Sequence, residues 1–461
     1  MLGSDDQPGA TPMSDSELAN ALIQAACVPM DGAGHATGTL DRARSLLADN
    51  PHIATANIHT AAALGNDSAV RQFIQVEPAN ATRKGGPYGW DALTHLCFSR
   101  FLRLDAERSD GFVAAAKMLL RAGADANSGF FSDEHQPQPA WESVLYGAAG
   151  VAHHAELTKL LLDHGADPND GETEYHAPEG FNNRPMEIIV ESGKLASAGL
   201  TTMLHRKLDW TNYSGVLWLL DHGADPNAVS HWGNRALDHA IGRDNPLEFL
   251  EALLDYGADP CLTTPAGINS FVRAASSGRA DVLDLFEKRG FTYYFEGIAA
   301  FLAACARGDA TTARELTLID PDILPQLKSH HPEILANFAG AGNTNGVRIL
   351  LDQGFDIDSR TNHPGSKGNT ALHVAVWRER LETVELLLAR GAAIEATNPR
   401  GDTPLALAAR AQVEMSEWTP HESADVLAAL LQAGADVAAI RKFPTGSAEG
   451  DDLLSRFGRT A

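Results

Sequence analysis

The chain has 461 residues, a length that fits two to four ordinary domains or one extended repeat array. Hydrophobic residues make up 44% of the sequence and charged residues 21%, which excludes a wholly disordered chain. The formal net charge is -24, whereas nucleic-acid-binding proteins normally carry a basic excess, so we expect no nucleic-acid partner.

The N-terminal segment predicts neither a signal peptide nor a membrane span. Its first residues include acids where a signal peptide needs a basic and then an apolar region. No run of about 18 apolar residues occurs anywhere in the chain. Four cysteines are too few for a disulfide-stapled secreted scaffold. We therefore expect a cytoplasmic monomer without membrane association, beginning with a flexible leader over residues 1–17.

One short phrase recurs along the chain after an apolar run that is rich in leucine. Upstream of each copy lies a Leu-x-x-Ala-Ala pattern, and the step from Gly223 to Gly257 is 34 residues. Weaker copies begin at Gly354, Gly391 and Gly434. The clearest copies are Gly123-Ala-Asp-Ala-Asn127, Gly165-Ala-Asp-Pro-Asn169, Gly223-Ala-Asp-Pro-Asn227 and Gly257-Ala-Asp-Pro-Cys261.

These residues resemble the ankyrin repeat, in which about 33 residues form a β-turn and two antiparallel helices. The fullest copy reads Gly368-Asn-Thr-Ala-Leu-His-Val-Ala, followed by Val384-Glu-Leu-Leu-Leu and Gly391. The resemblance covers residues 18–440 and implies an all-α solenoid of about eleven helix-turn-helix repeats plus one degenerate repeat. Residues 441–461 then form a flexible tail. The Gly after each leucine-rich run is expected to end a helix in the left-handed conformation.

Four stretches interrupt the regular spacing. The gap from the first-helix Leu to the helix-ending Gly is 19 or 20 residues in regular repeats, but 30 from Leu93 to Gly123 and 29 from Leu405 to Gly434. Residues 101–111 and 413–422 are therefore predicted to be polar surface insertions. Residues 128–139 are interpreted as a long loop. Within residues 182–200, an extra helix at 185–199 lacks a Leu-rich partner and is interpreted as the degenerate repeat.

Three cysteines fall at the second Ala position of the repeat, which is buried and requires a small side chain: Cys27, Cys97 and Cys305. Cys261 replaces a turn Asn and is expected to be more exposed. Because the first three belong to sequentially distant repeats, we expect their sulfurs to lie beyond disulfide reach.

The 18 histidines do not form a pattern that predicts a metal site or a catalytic site. No HExxH, Walker A, G-x-S-x-G or C-x-x-C motif is present. We therefore predict no metal, no cofactor and no catalytic residue. The resemblance implies instead that His59, His205 and His373 bond the turn backbone.

The turn tips and the exposed side of each first helix are positions that the fold leaves free. In ankyrin-like arrays these positions form the concave binding face, and exposed Trp and Arg are typical of binding hot spots. The alternative for any one residue is that it caps a turn or stacks on a neighbouring repeat. The candidate binding residues are Tyr88, Trp90, Asp91, His95, Trp141, Glu142, Asn183, Arg184, Glu187, His231, Trp232, Asn234, Arg235, Asp238, Arg243, Asn269, Arg273, Lys367, Asn369, Trp377, Arg378, Arg400, Asp402 and Arg410.

The candidate positions of the later repeats are basic although the whole chain is acidic. Their only acids are Asp238 and Asp402. A basic groove on an acidic body would attract an acidic partner segment or a carboxylate or phosphate ligand. The alternative is that these cations pair with acids on the second helices. The cations are Arg235, Arg243, Arg273, Lys367, Arg378, Arg400 and Arg410.

Two hypotheses about function follow. The first is a non-enzymatic scaffold that binds a protein partner through its concave face and turn tips. The second is a pocket in the groove around repeats 3–6, which binds a small anionic or polar ligand or performs catalysis. Several irregular segments lie near this stretch, and loops commonly carry sites. The second hypothesis places the pocket around His95, Trp141, Glu187, His231 and Trp232.

Overall fold

The structure is a computed structural model that describes residues 13–28, 34–133, 138–362, 366–414 and 424–458. The chain divides into two compact units, Met1–Asp225 and Pro226–Ala461. Both units consist mainly of consecutive helices that pack in helix-turn-helix pairs, as predicted. Within the described residues, no helix has the length and apolar character needed to cross a membrane.

The first unit contains thirteen described helices and one β-hairpin. Short 3-10 segments lie at Pro51–Thr55, Pro78–Ala81 and Ala106–Arg108, and a π-helical turn at Gly147–Val151 extends α8. The strands are β1 (Gly129–Ser132) and β2 (Ala140–Ser143). The helices are α1 (Asp15–Ala26), α2 (Asp41–Asp49), α3 (Ile58–Ala63), α4 (Asp67–Val76), α5 (Ala92–Cys97), α6 (Arg100–Leu104), α7 (Ser109–Arg121), α8 (Val144–Tyr146), α9 (Ala155–Asp163), α10 (Thr173–His176), α11 (Arg184–Glu191), α12 (Ser197–Asp209) and α13 (Tyr213–Asp221).

The described residues of the second unit contain helices and turns but no strand, and a 3-10 segment lies at Val437–Ala439. Its helices are α14 (Ala236–Gly242), α15 (Leu247–Asp255), α16 (Ser270–Ser276), α17 (Ala280–Lys288), α18 (Gly297–Ala306), α19 (Ala310–Ile319), α20 (Ile323–His330), α21 (Ile334–Gly340), α22 (Thr344–Asp352), α23 (Ala371–Trp377), α24 (Leu381–Ala389), α25 (Pro404–Glu414), α26 (Asp425–Gln432) and α27 (Ala448–Arg456).

The recurring phrase links each turn to the next. The side-chain Oδ1 of Asn127 accepts a hydrogen bond from the backbone N–H of Asp167 at 2.8 Å, and its Nδ2 donates to the carbonyl O of Gly165 at 3.2 Å. Asn227 makes the same pair of bonds to Asp259 and Gly257, at 2.9 and 2.8 Å. The Asn of one copy therefore sets the position of the following copy, which gives a physical reason for the repetition.

The helix-ending glycines adopt the predicted left-handed conformation. The φ angle is 100° at Gly123, 99° at Gly165, 90° at Gly223 and 83° at Gly391. A residue with a Cβ is strained at such an angle, so the glycine ends the helix with little cost.

The cysteine burial pattern is confirmed. Cys27, Cys97 and Cys305 have no exposed surface, whereas Cys261 is exposed, and all four are free thiols. Cys27 lies beside a later repeat, since it forms an isolated β-bridge with Ser99. Its Sγ lies 3.7 Å from the carbonyl O of His95, so Cys27 packs against the helix that carries Cys97.

The prediction that residues 101–111 form a polar surface insertion is wrong. The segment contains most of α6 and the start of α7, and Phe101 and Leu102 are only 1% and 5% exposed. A Cβ on Gly111 would clash with the carbonyl O of Gly65, so the backbones of two repeats touch here. The inserted residues belong to the core because their apolar members cover the ends of neighbouring helices.

Residues 128–139 are only partly the loop that was predicted. They contain β1 and the approach to β2, which pair antiparallel with Phe130 opposite Glu142 and Phe131 opposite Trp141. Residues 134–137 lie outside the described residues. Alternation along β1 turns Phe130 inward and Phe131 outward, with 6% and 66% exposed surface.

The degenerate repeat has different bounds from those predicted. Residues 185–199 are not one helix, because α11 ends at Glu191 and α12 begins at Ser197. The short α10 packs between the π-helical turn and α12, and α11 packs on α9. α10 and α11 are therefore the first and second helices of one shortened repeat, and Pro185 starts its second helix.

The two ends of the array differ from the predicted leader and tail. Helix α1 begins at Asp15, and Ser14 caps it by accepting a hydrogen bond from the backbone N–H of Glu17 at 3.3 Å. Helix α27 occupies residues that were predicted to be a flexible tail, and its Leu454 is fully buried. Residues 1–12 and 415–423, which include most of the predicted insertion at 413–422, lie outside the described residues.

Candidate binding surface

In the first unit, the earliest candidate residues are buried. Trp90 is 5% exposed and stacks on Phe130, with ring centroids 4.3 Å apart. His95 is fully buried, and its Nδ1 lies 2.8 Å from the carbonyl O of Asp91. Burial lowers the pKa of His95 to about 3, so its ring is neutral. The prediction that Trp90 and His95 are surface binding residues is therefore wrong.

Asp91 and Tyr88 complete this turn. The Oδ1 of Asp91 accepts a hydrogen bond from the N–H of Thr94 at 2.8 Å and caps α5. The ring of Tyr88 lies 4.6 Å from that of Trp90. Both candidates remain half-buried, and their contacts stabilise the turn itself.

The β-hairpin divides the next two candidates between its faces. Trp141 is half-buried and packs against Phe131, with ring centroids 4.8 Å apart. Glu142 is 1% exposed and faces the interior, where its Oε2 lies 3.7 Å from Nδ1 of His35. Glu142 was predicted on the exposed face, which is wrong because strand alternation turns it inward.

The candidates of the degenerate repeat lie at the start of a second helix and not on a first helix. Arg184 is exposed and pairs along α11 with Glu187 at 3.0 Å and with Glu191 at 3.3 Å. Asn183 accepts a hydrogen bond from Nδ2 of Asn212 at 3.0 Å. These contacts connect neighbouring turns and leave the guanidinium of Arg184 at the surface.

A partly buried polar network in the first unit was missed in the sequence. His176 lies 3.2 Å from Glu172 and 3.1 Å from Glu179. Arg206 pairs with Glu179 and Asp209, each at 2.5 Å, so it extends the network to α12. Burial alone would lower the pKa of His176, but the hydrogen bonds that its ring donates to the two glutamates raise it to about 9. No motif marks these residues, because they come from a repeat whose first helix has four residues.

In the second unit, the first turn tip is exposed. Trp232 is 43% exposed, and the ring of His231 lies 3.6 Å from it. Asn234 closes the turn by accepting a hydrogen bond from Oγ of Ser230 at 2.6 Å. The Nη1 of Arg235 donates to the carbonyl O of Thr263 at 2.9 Å, so this side chain reaches the following turn tip.

Two further candidates in this part of the second unit are structural. Asp238 is 3% exposed and accepts a hydrogen bond from Oγ of Ser270 at 2.8 Å. Burial raises the pKa of Asp238, while that bond lowers it. Asn269 is 4% exposed and caps α16 by accepting from the N–H of Val272 at 3.0 Å. Their prediction as exposed binding residues is wrong, but Arg273 beside them is half-exposed.

The last candidates differ in their exposure and in their contacts. Lys367 and Arg400 are exposed at turn tips, and the backbone of Asn369 accepts a hydrogen bond from the N–H of Thr361 at 2.9 Å. Arg410 pairs with Asp402 at 3.0 Å and lies over the ring of Trp377, with Cζ 5.9 Å from the centroid. For Arg410 the pairing alternative is therefore observed.

Three arginines from two distant parts of the second unit meet at one carboxylate. Asp244 follows α14, and its Oδ1 lies 3.0 Å from Nη1 of Arg279. Its Oδ2 lies 2.9 Å from Nη1 of Arg378 and also contacts Nη2 of Arg380. Nη1 of Arg378 donates to the carbonyl O of Arg243 at 3.2 Å. Of these residues, only Arg243 and Arg378 were candidates. Their contact was not predicted, because the sequence does not reveal that positions 135 residues apart lie together.

We refer to Arg243, Asp244, Arg279, Arg378 and Arg380 as the arginine cluster. Burial lowers the pKa of Arg378, Asp244 raises it, and the charges of Arg380 and Arg243 lower it. The positive charges of Arg243 and Arg380 therefore lie close enough to Arg378 to lower its pKa.

In the part of the first unit that the structure describes, the pocket candidates His95 and Glu187 have other contacts. His95 is enclosed by aromatic rings, and Glu187 pairs with Arg184. A surface cleft of about 550 Å³ lies in the first unit and is lined by other residues, among them Leu47, Asn66 and Arg108. Among the described residues, no three His, Cys, Asp or Glu side chains are grouped as metal ligands would be.

Comparison with known proteins identifies the repeats. Residues 300–398 match the family model for ankyrin repeats in three copies. The chain is 39% identical over 77 residues to human BCL-6 corepressor-like protein 1, covering 16% of this chain and 4% of that protein. It is 28% identical over 183 residues to Ankyrin repeat and KH domain-containing protein mask-1 of Caenorhabditis elegans, covering 38% of this chain and 6% of that protein. The chain thus spans only a small part of either relative.

Solved structures similar to the chain are also ankyrin repeat domains. The human ASB11 domain is 22% identical and covers 50% of this chain and 98% of its own, with a TM-score of 0.24. The Bcl-3 domain is 19% identical and covers 50% of this chain and 97% of its own, also with a TM-score of 0.24. Residues 300–398 therefore consist of ankyrin repeats, and the described chain has the all-α fold expected of an ankyrin-repeat solenoid. Ankyrin repeats generally mediate protein–protein interactions.

Proposed function

We propose that this ankyrin-repeat protein is a scaffold that binds an acidic segment of a protein partner through its second unit. The binding surface comprises the turn tip at residues 230–235 and the neighbouring first-helix cations Arg243 and Arg273. The observation that carries the proposal is the exposure of Trp232, a large ring that its own repeat leaves 43% accessible.

The exposed ring supports binding on energetic grounds. A tryptophan at the centre of an interface contributes about 2 kcal/mol or more to affinity when a partner covers it. The adjacent imidazole of His231 enlarges the apolar surface, since the two ring centroids are 3.6 Å apart. The exposed ring makes this contribution only when a partner covers it.

The charges near the ring support an acidic partner. Arg235 lies in the same turn as Trp232 and extends towards the next turn through its 2.9 Å bond to Thr263. The whole chain carries a net charge of -24, so a local basic surface directs an acidic segment to one place on the molecule. Such charges act mainly on the association rate and on specificity, and salt screens them.

The small-ligand pocket has less support. Its members Trp232 and His231 are exposed at a turn tip, where a small ligand would remain largely in water. Small-ligand sites usually enclose most of their ligand in a concave, mainly apolar cavity.

The test begins with identification of a partner by affinity purification and mass spectrometry. The affinity of the purified partner is then measured by isothermal titration calorimetry for the wild type, Trp232→Ala and Tyr256→Ala. Tyr256 is the matched control because it is 40% exposed but follows the second helix of the same repeat.

We expect Trp232→Ala to weaken binding by about 2 kcal/mol, roughly 30-fold, and Tyr256→Ala to change it by less than about 0.5 kcal/mol. Wild-type affinity should also fall as salt rises. Equal effects of the two substitutions, or a salt-independent affinity, would contradict the proposal.

A further inference from the structure

The short helix α6 of the first unit carries two arginines three residues apart, which makes them neighbours on one helix face. Burial lowers the pKa of Arg103, and the positive charge of Arg100 lowers it further, so the two guanidinium groups lie within electrostatic range of each other. Among the described residues, no carboxylate forms an ion pair with Arg100 or Arg103. These two cations therefore have no acidic ion-pair partner, although the net charge of the chain is -24.

Backbone carbonyl groups hold both side chains in place. Nε of Arg100 donates to the carbonyl O of Thr37 at 3.1 Å, and its Nη1 donates to that of Ala25 at 3.0 Å. Nη2 of Arg103 donates to the carbonyl O of Thr37 at 3.3 Å and to that of Gly38 at 3.4 Å. A Cβ on Gly38 would lie 2.5 Å from Nε of Arg100, so glycine leaves the room that this guanidinium needs. The carbonyl groups thus fix the two cations without neutralising them.

Two nitrogen atoms at this place are buried and have no hydrogen-bond partner within the described part of the chain. They are Nε of Arg103 and Nδ1 of His153, and both side chains are otherwise half-buried. A buried polar atom is costly when it has no partner. We take these two atoms as evidence that a ligand with acceptor oxygens belongs here.

The charges around His153 also favour an anion. Burial lowers the pKa of His153, and Glu179 raises it. Three neighbouring cations then lower it: Lys207, His176 and Arg103. Glu179 has its own cations, since its Oε1 lies 3.1 Å from Nδ1 of His176 and 2.5 Å from Nη2 of Arg206. The surroundings of His153 are therefore electropositive.

The size of the unneutralised charge selects the ligand. Arg100 and Arg103 together carry a charge of about +2. A carboxylate carries one negative charge and would neutralise half of it. A phosphate monoester carries a charge of about -1.5 to -2 at neutral pH and offers three acceptor oxygens. Guanidinium groups bind phosphate with hydrogen bonds that are shorter and stronger than those between neutral groups.

We propose that Arg100, Arg103 and His153 form a binding site for the phosphate group of a small molecule, either free phosphate or a phosphate monoester. The two arginines supply the charge, while Nε of Arg103 and the imidazole of His153 supply hydrogen bonds that the chain itself leaves unused. Because these nitrogen atoms are buried, a compact tetrahedral group can reach them and a broad surface cannot. The site lies in the first unit and does not depend on the proposed function, which concerns the second unit.

The experiment uses the full chain with 15N in its arginine side chains. Two-dimensional NMR follows the Nε–H signals while inorganic phosphate, methyl phosphate or acetate is added at an ionic strength held constant with potassium chloride. Arg121, an exposed arginine at the end of α7, is the matched control. The variants Arg103→Lys and Arg121→Lys assign the two signals.

We expect inorganic phosphate to shift the Arg103 signal saturably, at a concentration at least about ten-fold lower than acetate requires, and to leave the Arg121 signal nearly unchanged. Methyl phosphate distinguishes the two sources of the phosphate group. Saturable binding of both phosphates indicates a site for a monoester, whereas binding of inorganic phosphate alone indicates a site for free phosphate.

Melting curves give a second measurement, because a ligand that binds only the folded chain raises its melting temperature. Relative to chloride at equal ionic strength, phosphate should stabilise the wild type and Arg121→Gln but not Arg100→Gln. If Arg100→Gln does not fold, His153→Gly replaces it, since glycine accepts the φ of 47° at this position and removes the imidazole.

Equal shifts of the Arg103 and Arg121 signals would overturn the proposal, as would equal responses to acetate and phosphate. Stabilisation by phosphate that persists unchanged in Arg100→Gln or in His153→Gly would also overturn it, because the effect would then come from the salt and not from this site.

Discussion

The two units place the same kind of residue at the same kind of position with opposite results. In the first unit, Trp90 at a turn tip is covered by Phe130 and is 5% exposed. In the second unit, Trp232 at a turn tip is 43% exposed. The difference comes from the β-hairpin, which brings Phe130 over one turn. A tip residue is thus free for binding only where no neighbouring segment covers it.

The ion-pair networks of the two units also differ in composition. In the first unit, His176 and Arg206 meet three carboxylates, those of Glu172, Glu179 and Asp209. In the second unit, Asp244 alone is shared by three arginines. The first network holds two cations among three carboxylates, whereas the second holds three cations around one shared carboxylate, so removing that single carboxylate affects all three.

The largest effect is expected from replacing the covered tryptophan. Trp90→Ala removes a buried ring and should lower the free energy of unfolding by about 3–5 kcal/mol, whereas Trp232→Ala should lower it by less than about 1 kcal/mol. Urea denaturation of both variants measures the difference. Similar losses in the two variants would show that Trp232 is also structural and would remove the contrast between the units.

A smaller effect is expected at the arginine cluster. The carboxylate of Asp244 is 10% exposed, so Asp244→Ala leaves three guanidinium groups facing one another. We expect a loss of about 2–3 kcal/mol of unfolding free energy. The control Asp352→Ala removes a 59% exposed partner of Arg390 and should cost less than about 0.5 kcal/mol. Equal losses would mean that the cluster is an ordinary surface ion pair.

The His176 network should give the first unit a pH-dependent stability. Its pKa is raised to about 9 in the folded chain, compared with about 6.5 when unfolded, so its contribution is present below pH 6.5 and lost as the pH rises through 9. Burial lowers the pKa of Lys207 to about 7, which acts in the opposite direction over part of this range.

The wild type must therefore be compared with His176→Gln at each pH. The stability difference should be at most about 3 kcal/mol at pH 6 and should vanish near pH 10. Chemical denaturation at both values measures it. A difference that does not change with pH would show that His176 contributes by packing and not by its charge.

No effect is expected from reductant. Burial raises the pKa of Cys27 and of Cys305 to about 12, so both thiols stay protonated. The melting temperature should be the same with and without reductant, and titration of the unfolded, unreduced chain should find four thiols. A lower count would point to a disulfide, and Cys27 would be the first residue to examine because it packs beside the helix of Cys97.

The parts of the fold that sequence predicted are those governed by contacts between adjacent repeats. The glycines, the buried cysteines and the turn-linking asparagines act over about one repeat, so their spacing is visible in the chain. The errors at residues 101–111 and 128–139 have another cause. Phe101 and Phe130 lie in segments that look polar or irregular, and their burial depends on surfaces that other segments supply. The same limit explains why His95 and Glu142 were placed on the binding face.

The sequence by itself determined the all-α ankyrin fold, because its repeated phrase makes the same local hydrogen bonds at the Asn127 and Asn227 turns. The sequence also determined that, at the candidate positions of the later repeats, cations outnumber acids. Only the tertiary structure decided which of these side chains are exposed, since exposure depends on what else packs against each repeat. The tertiary structure also places Arg378 in contact with Asp244, although more than a hundred residues separate them in the sequence. The spacing of residues in the sequence predicts contacts between adjacent repeats. A contact between residues as far apart as Asp244 and Arg378 depends on how the intervening repeats stack.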